Sequence, residues 1–265
     1  MKKNILFSAF LLLILRGLSA QVVGNIVPVN LPQKYGWDMI VQDEFEADSL
    51  DKGRWWVQDA ERPGEICLFT SRPENVYQKD GKMHIVVQKE TLKNYQFTGG
   101  LVFSSRTFSP NSYIEASLKV PKGKNLWPAF WFWSGENKTY QEIDVAEFYC
   151  QRPKETNISN HYWDLKQKRN YKTSIARPKD ANGNRIDLSK NYHIYAVEWL
   201  TDRIRVFIDN VLFFETKKDI PQGVLSIIFG MGLSDKPDKT TIFPSEFLVD
   251  YVRGYKIKPS LSTNR

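Results

Sequence analysis

The sequence predicts a mostly-β protein, a sandwich or barrel of many short strands in one large domain. Three observations carry this prediction. Eight Trp, twelve Tyr and sixteen Phe accompany repeated Val/Ile/Thr runs, and aromatic and branched side chains pack well on a pleated surface. Short alternating segments recur with turn residues between them. No long helical pattern, fixed repeat or break in composition interrupts the 265 residues.

The first twenty residues read as an export signal: Lys2 and Lys3, an apolar stretch from Ile5 to Leu15, and a small-residue site ending at Ala20. The stretch is shorter than the roughly 20 apolar residues that span a bilayer. The expectation is a cleaved signal and a secreted or periplasmic protein without stable membrane insertion; an uncleaved N-terminal anchor is the alternative. Losing Lys2, Lys3 and Arg16 lowers the formal charge from +7 to +4. The remaining basic residues are scattered among acids, without the dense stripe that binds a phosphate backbone, which argues against nucleic acid as a partner.

A Pro-containing arm occupies residues 21–36, the main domain residues 37–258 and a tail residues 259–265. Within the domain, KMHIVVQKE from Lys82 alternates after an Asp80-Gly81 turn, and YIEASLKV from Tyr113 alternates before Pro121. RIRVFIDNVLFFET from Arg203 reads as a hairpin turning at Asp209-Asn210. EFLVDYVRGYKI from Glu246 places Phe247, Val249 and Tyr251 on one face, and Leu248, Asp250 and Val252 on the other. Residues 151–187 are polar and irregular, as expected of a long functional or mobile loop.

Cys67 and Cys150 allow either one disulfide or two buried thiols. There is no CxxC or HxxxH, and His84, His161 and His193 are far apart in sequence, which argues against a transition-metal catalyst.

The segment EIDVAE, Glu142 to Glu147, carries the chemistry. On a regular strand Glu142 and Asp144 share a face, whereas Glu147 points the other way. A β-bulge near Val145-Ala146 adds one residue and returns Glu147 to the acidic face. The two glutamates are then about four positions apart, roughly 13 Å along the strand. Side chains leaning together bring the carboxyls near the roughly 5–5.5 Å of a retaining glycosidase. Crowding also splits carboxyl pKa values, so that one acid attacks while another holds a proton. The assignment is Glu142 nucleophile, Glu147 general acid/base and Asp144 helper. The competing reading is a solvated strand face on which acids alternate. The preceding NLWPAFWFW favours the first, because aromatic faces beside carboxylates stack against pyranose rings. Trp127, at the strand entry, is the expected sugar platform, with Trp131 also placed at the substrate. At least one Trp of this segment is expected in the core.

Taken together, EIDVAE, LWPAFWFW just upstream, VQDEF at Val41, SRPENVYQKDGKMHI at Ser71, YHIYAVEW at Tyr192 and FLVDYVRGY at Phe247 resemble glycoside hydrolase family 16, over about Trp37 to Lys256. The resemblance implies a β-jelly-roll sandwich of two antiparallel sheets with a concave substrate cleft, and endo-hydrolysis of a polysaccharide with retention and no catalytic cofactor. It implies the nucleophile, helper and acid/base roles for Glu142, Asp144 and Glu147. Asn75 and Trp127 match cleft positions, and His161 matches a histidine after the catalytic strand, its alternative being a satisfied structural histidine. Gly81 and Asp250 match contributors to a structural Ca²⁺.

GENKTYQ ahead of the acidic motif and SIIFGMGLSDKPD near the end depart from the laminarinase-like pattern, whereas TSRPENVYQKDGK keeps it. The leading expectation is therefore a monomeric, secreted endo-β-glycanase acting on a β-1,3- or mixed-linked glucan. The alternative is an endo-galactanase for agar, porphyran, carrageenan or a host glycan, motivated by the basic stretch DLKQKRNYKTSIARPKD. A non-catalytic carbohydrate-binding protein ranks below both, since binding alone does not require three crowded acids.

Overall fold

A computed structural model describes residues 35–61, 66–134, 140–163 and 169–259. The expected signal, most of the arm and all of the tail beyond its first residue lie outside the described residues. Among the described residues there are sixteen strands and no helix.

One sheet runs in the order β11 (Arg169–Ala176), β10 (Thr156–Trp163), β9 (Tyr140–Glu147), β8 (Leu126–Trp133), β15 (Leu225–Leu233) and β6 (Tyr95–Phe108), with β2 (Trp55–Val57) also on β6. The second contains β5 (Lys82–Leu92), β16 (Ser245–Pro259), β7 (Ser112–Lys119), β12 (His193–Trp199), β13 (Ile204–Ile208) and β14 (Val211–Thr216). On this second sheet β1 (Tyr35–Asp43) pairs with β16 and β4 (Val76–Lys79) with β5. The short β3 (Leu68–Phe69) lies parallel to β6.

The long β5–β6 hairpin joins the layers. Met83–Val87 pair with β16 in one sheet, Gln88–Leu92 pair with the start of β6, and the rest of β6 pairs with β15 in the other. Phe130, Phe132, Ile143 and Val145 from the first sheet and Ile114, Val197, Phe247 and Val249 from the second are fully buried in one continuous cluster. Each such side chain contributes about 1.5–3 kcal/mol by leaving water. The expected turns are present: Asp80-Gly81 joins β4 to β5 and Asp209-Asn210 joins β13 to β14, with positive φ at all four residues, the geometry whose twist matches paired strands.

Three expectations are corrected. Residues 151–187 contain β10 and β11 rather than one irregular loop; the TNISNHYW pattern hides a strand because its buried positions include Thr156, Ser159 and Asn160. In β16 the register shifts between Val249 and Tyr251, so Val252 joins Phe247 and Val249 in the core instead of facing away from them. In β8 the core face is Leu126, Phe130 and Phe132, while Trp127, Trp131 and Trp133 are half-buried on the opposite face. None of these tryptophans belongs to the main core, because the phenylalanines between them fill it.

Candidate active site

The bulge in β9 positions the acids. Asp144 pairs with Trp131 and Ala146 with Phe130, leaving Val145 as the extra residue. Ile143, Val145 and Ala146 consequently enter the core, while Glu142, Asp144 and Glu147 line one pocket of about 250 Å³ with Trp127, Ala129 and Trp131. Gly230 and Gly232 of β15 form part of its lining. A Cβ on Gly232 would lie 2.9 Å from Phe69 Cζ, so a larger residue would crowd this wall.

Neighbouring strands hold the carboxylates in place. Trp127 donates from Nε1 to Glu147 Oε1 at 2.9 Å. The Tyr140 hydroxyl, two positions before Glu142 on the same strand, donates to Glu142 Oε2. His161 lies across from Glu142 in β10, with Nε2 3.2 Å from Asp144 Oδ2 and 3.7 Å from Glu142 Oε1. Its ring stacks on Tyr171 of β11, with centroids 6.1 Å apart.

The electrostatics follow from crowding under partial burial. Burial, then the charge of Asp144, pushes the Glu142 carboxyl up to about 7, against opposing pulls from the Tyr140 hydroxyl and His161. Asp144 is pushed well above the usual carboxylate range, by burial first and then by Glu147. Each of these two acids therefore opposes ionisation of its neighbours, so the site resists carrying all three negative charges at once. The arrangement supplies one acid that can attack, a second on the same face and a third between them.

Of the residues singled out from sequence, the structure brings together Glu142, Asp144, Glu147, Trp127, Trp131 and His161. It does not bring Asn75 to them. Asn75 is fully buried; its Nδ2 donates to Val86 O at 3.0 Å and Thr98 Oγ1 at 2.9 Å, and its Oδ1 accepts from Thr70 and Arg72. Its hydrogen-bonding capacity is spent inside the wall, where it braces β5 and β6. Tyr140 escaped the sequence reading, although its i−2 spacing from Glu142 places it on the acidic face.

Gly81 and Asp250 lie in the other sheet. Gly81 occupies a left-handed turn with the Glu46 carboxylate beside it: Oε1 lies 3.1 Å from where a Cβ would stand. Asp250 follows Val249, the partner of Met83, and so sits near the same end of β5. Among the described residues, the carboxylate that the structure shows beside Gly81 is that of Glu46. In the cleft, ligand atoms of Glu142, Asp144 and His161 lie within 4.8 Å of one another, so a divalent ion entering there would compete with the acids' own chemistry.

Cys67 and Cys150 are both buried and are not joined in a disulfide, which decides between the two readings of the pair. The basic stretch around β11 is partly engaged within the fold. Lys172 donates to Glu215 O and sits 5.2 Å from the Phe214 ring centroid, and Arg177 Nε lies 2.9 Å from Glu155 Oε2. Residues 164–168 of that stretch lie outside the described residues.

Comparison with known proteins agrees with this architecture. A beta-glucanase from Rhodothermus marinus is 24% identical, with the alignment covering 97% of this chain and 96% of that protein. The glucan endo-1,3-beta-glucosidase A1 of Niallia circulans is 23% identical over 85% of this chain, which spans only 39% of that relative's length. Among solved structures, the endo-beta-1,3-glucanase from Pyrococcus furiosus superposes with a TM-score of 0.72 at 24% identity, covering 86% of this chain and all of that one. The sequence model of glycosyl hydrolases family 16 matches residues 67–241, a span that contains the bulged strand and the acids it exposes, and the chain belongs to that family of glycoside hydrolases.

Proposed function

We propose that this glycoside hydrolase is a secreted, retaining endo-β-glucanase that cleaves internal bonds of a β-1,3- or mixed-linked glucan. The observation that carries the mechanism is the Val145 bulge, which puts Glu142, Asp144 and Glu147 on one face of β9. The glucan assignment draws support from the relatives named for β-glucan hydrolysis, which include one aligned over nearly its full length.

In this reading, ionised Glu142 attacks the anomeric carbon as Glu147 gives its proton to the departing glycosidic oxygen. The resulting glycosyl-Glu142 ester is hydrolysed when Glu147, now a carboxylate, takes a proton from water; the water oxygen bonds to the anomeric carbon and Glu142 leaves ionised. Asp144, between the two glutamates and 3.2 Å from His161 Nε2, tunes the nucleophile. The Tyr140 hydroxyl favours the ionised nucleophile, and Trp127 fixes Glu147 while presenting a ring to the sugar. A structural Ca²⁺ held near Gly81 and Asp250 would lie in the other sheet, away from the chemistry.

The test is product release from laminarin, mixed-linked glucan, agarose, porphyran and carrageenan, with Glu142→Gln run beside the wild type. Cleavage of laminarin or mixed-linked glucan that vanishes in the variant supports the proposal. Cleavage confined to a galactan replaces the substrate class, and binding without cleavage of any polymer removes the enzymatic reading. Export is checked separately by sequencing the mature N-terminus, expected at Gln21.

A further inference from the structure

We infer that Trp56 is a distal sugar-binding platform, placed several sugar units from the cleavage point, that makes the enzyme favour long chains. The inference rests on the glucanase reading above and specifies how far the binding surface extends.

The strand registers define a single row across the first sheet. Asp144 of β9 pairs with Trp131 of β8, Trp131 with Ile228 of β15, Ile228 with Phe103 of β6, and Phe103 with Trp56 of β2. Directly paired residues point to the same face, so this row runs from the acids to the sheet edge on the cleft side. Four strand spacings at about 4.8 Å place β2 about 19 Å from β9, measured along the sheet. Ile228 and Phe103 are buried in a small apolar cluster against which Trp131 and Trp133 pack. Ile228 and Phe103 are themselves covered, so between the acids and Trp56 a chain would cross the layer packed on them, which includes Trp131 and Trp133.

Trp56 ends this row in a manner that packing does not require. Its neighbour Trp55 is 1% exposed and donates from Nε1 to Asp43, as a core residue should. Trp56 is 44% exposed, and its ring stacks on Phe103 with centroids 4.3 Å apart and planes 15° from parallel. Phe103 covers one face of the indole, leaving the opposite face and rim to account for the exposure. A rigid ring backed by a second ring gives the apolar C–H face of a pyranose a preorganised surface. The occupant that fits is a β-linked glucan chain already seated at the acids, because the paired row puts Trp56 on the same sheet face as the acids.

The experiment measures kcat and KM on a ladder of β-1,3-glucan oligosaccharides of increasing length, for wild type, Trp56→Ala and Trp56→Tyr. The expected result is a wild-type kcat/KM that climbs with length. Trp56→Ala should match wild type on short oligomers and lose about tenfold on long ones, chiefly through KM, as expected for loss of one stacking contact. Trp56→Tyr, which keeps a ring, should recover most of the loss. A Trp56→Ala to wild-type ratio that is independent of length, whether unity or uniformly low, overturns the platform while leaving the glucanase reading intact. Wild-type inactivity at every length sinks the glucan reading and the platform with it.

Discussion

Replacing Tyr140 with Phe tests the electrostatics of the site through one atom. The ring stacks on Trp163 with centroids 5.0 Å apart and lies 6.4 Å from Trp133, contacts that Phe retains. The hydroxyl's donation to Glu142 is lost. Glu142 already sits up at about 7 because burial and Asp144 oppose its charge, and Tyr140 is one of the two groups pulling it down. A hydrogen bond to a charged group is worth about 1.5–3 kcal/mol. At about 1.36 kcal/mol per pKa unit, its loss raises the Glu142 pKa by about one to two units. Glu142 must be ionised to attack, so kcat/KM falls as pH drops through its pKa. The acidic limb of Tyr140→Phe should therefore move to higher pH, with a deficit largest on the acid side and closing where both enzymes are fully ionised. Initial rates on laminarin at low substrate across the acid and neutral range provide the profile. An unmoved limb, or one displaced to lower pH, refutes the reasoning; a loss equal at every pH would show that Tyr140 acts on the sugar instead of on Glu142.

Three other perturbations follow from the same geometry. Glu147→Ala should lower kcat by about 10²–10⁴, the range for a positioned acid/base, with a smaller loss on aryl glycosides whose leaving group needs little protonation. Asp144→Asn should cut turnover yet raise Tm at alkaline pH. The Asp144 carboxyl is held above its unfolded value, so its stabilising contribution is present at low pH and lost as pH rises through the folded pKa. The advantage of Asn should accordingly shrink on acidification, and thermal melts at several pH values check it. Phe130→Ala, at a fully buried ring stacked on Phe229 with centroids 4.9 Å apart, should cost about 3–5 kcal/mol, read as a lower urea midpoint.

What could be read from sequence divides along physical lines. The β9 bulge was legible because three acids and three apolar residues in EIDVAE admit one register that separates them onto two faces. The β13–β14 hairpin was legible because Asp209-Asn210 tolerates positive φ at both positions. The tryptophans of β8 misled because hydrophobicity is a poor guide to direction when both faces of a strand are apolar, one packed on the core and the other lining a cleft. The strands β10 and β11 were missed for the converse reason: a cleft-lining strand carries polar residues on a face that pattern reading assigns to solvent. Asn75 shows the limit of a matched motif, which gives identity and order along the chain without depth. The swapped faces of Tyr251 and Val252 required a register shift beside Asp250 that no local alternation announces.

In the proposed mechanism the bulged strand makes Glu142 the nucleophile of a double displacement. The most direct test is to incubate wild-type enzyme with a fluorosugar β-glucoside whose glycosyl-enzyme turns over slowly, then locate the adduct by peptide mass spectrometry. One glycosyl unit esterified to Glu142, absent from Glu142→Gln, is the expected result. A stable adduct on Glu147 or on a residue outside β9 would contradict it.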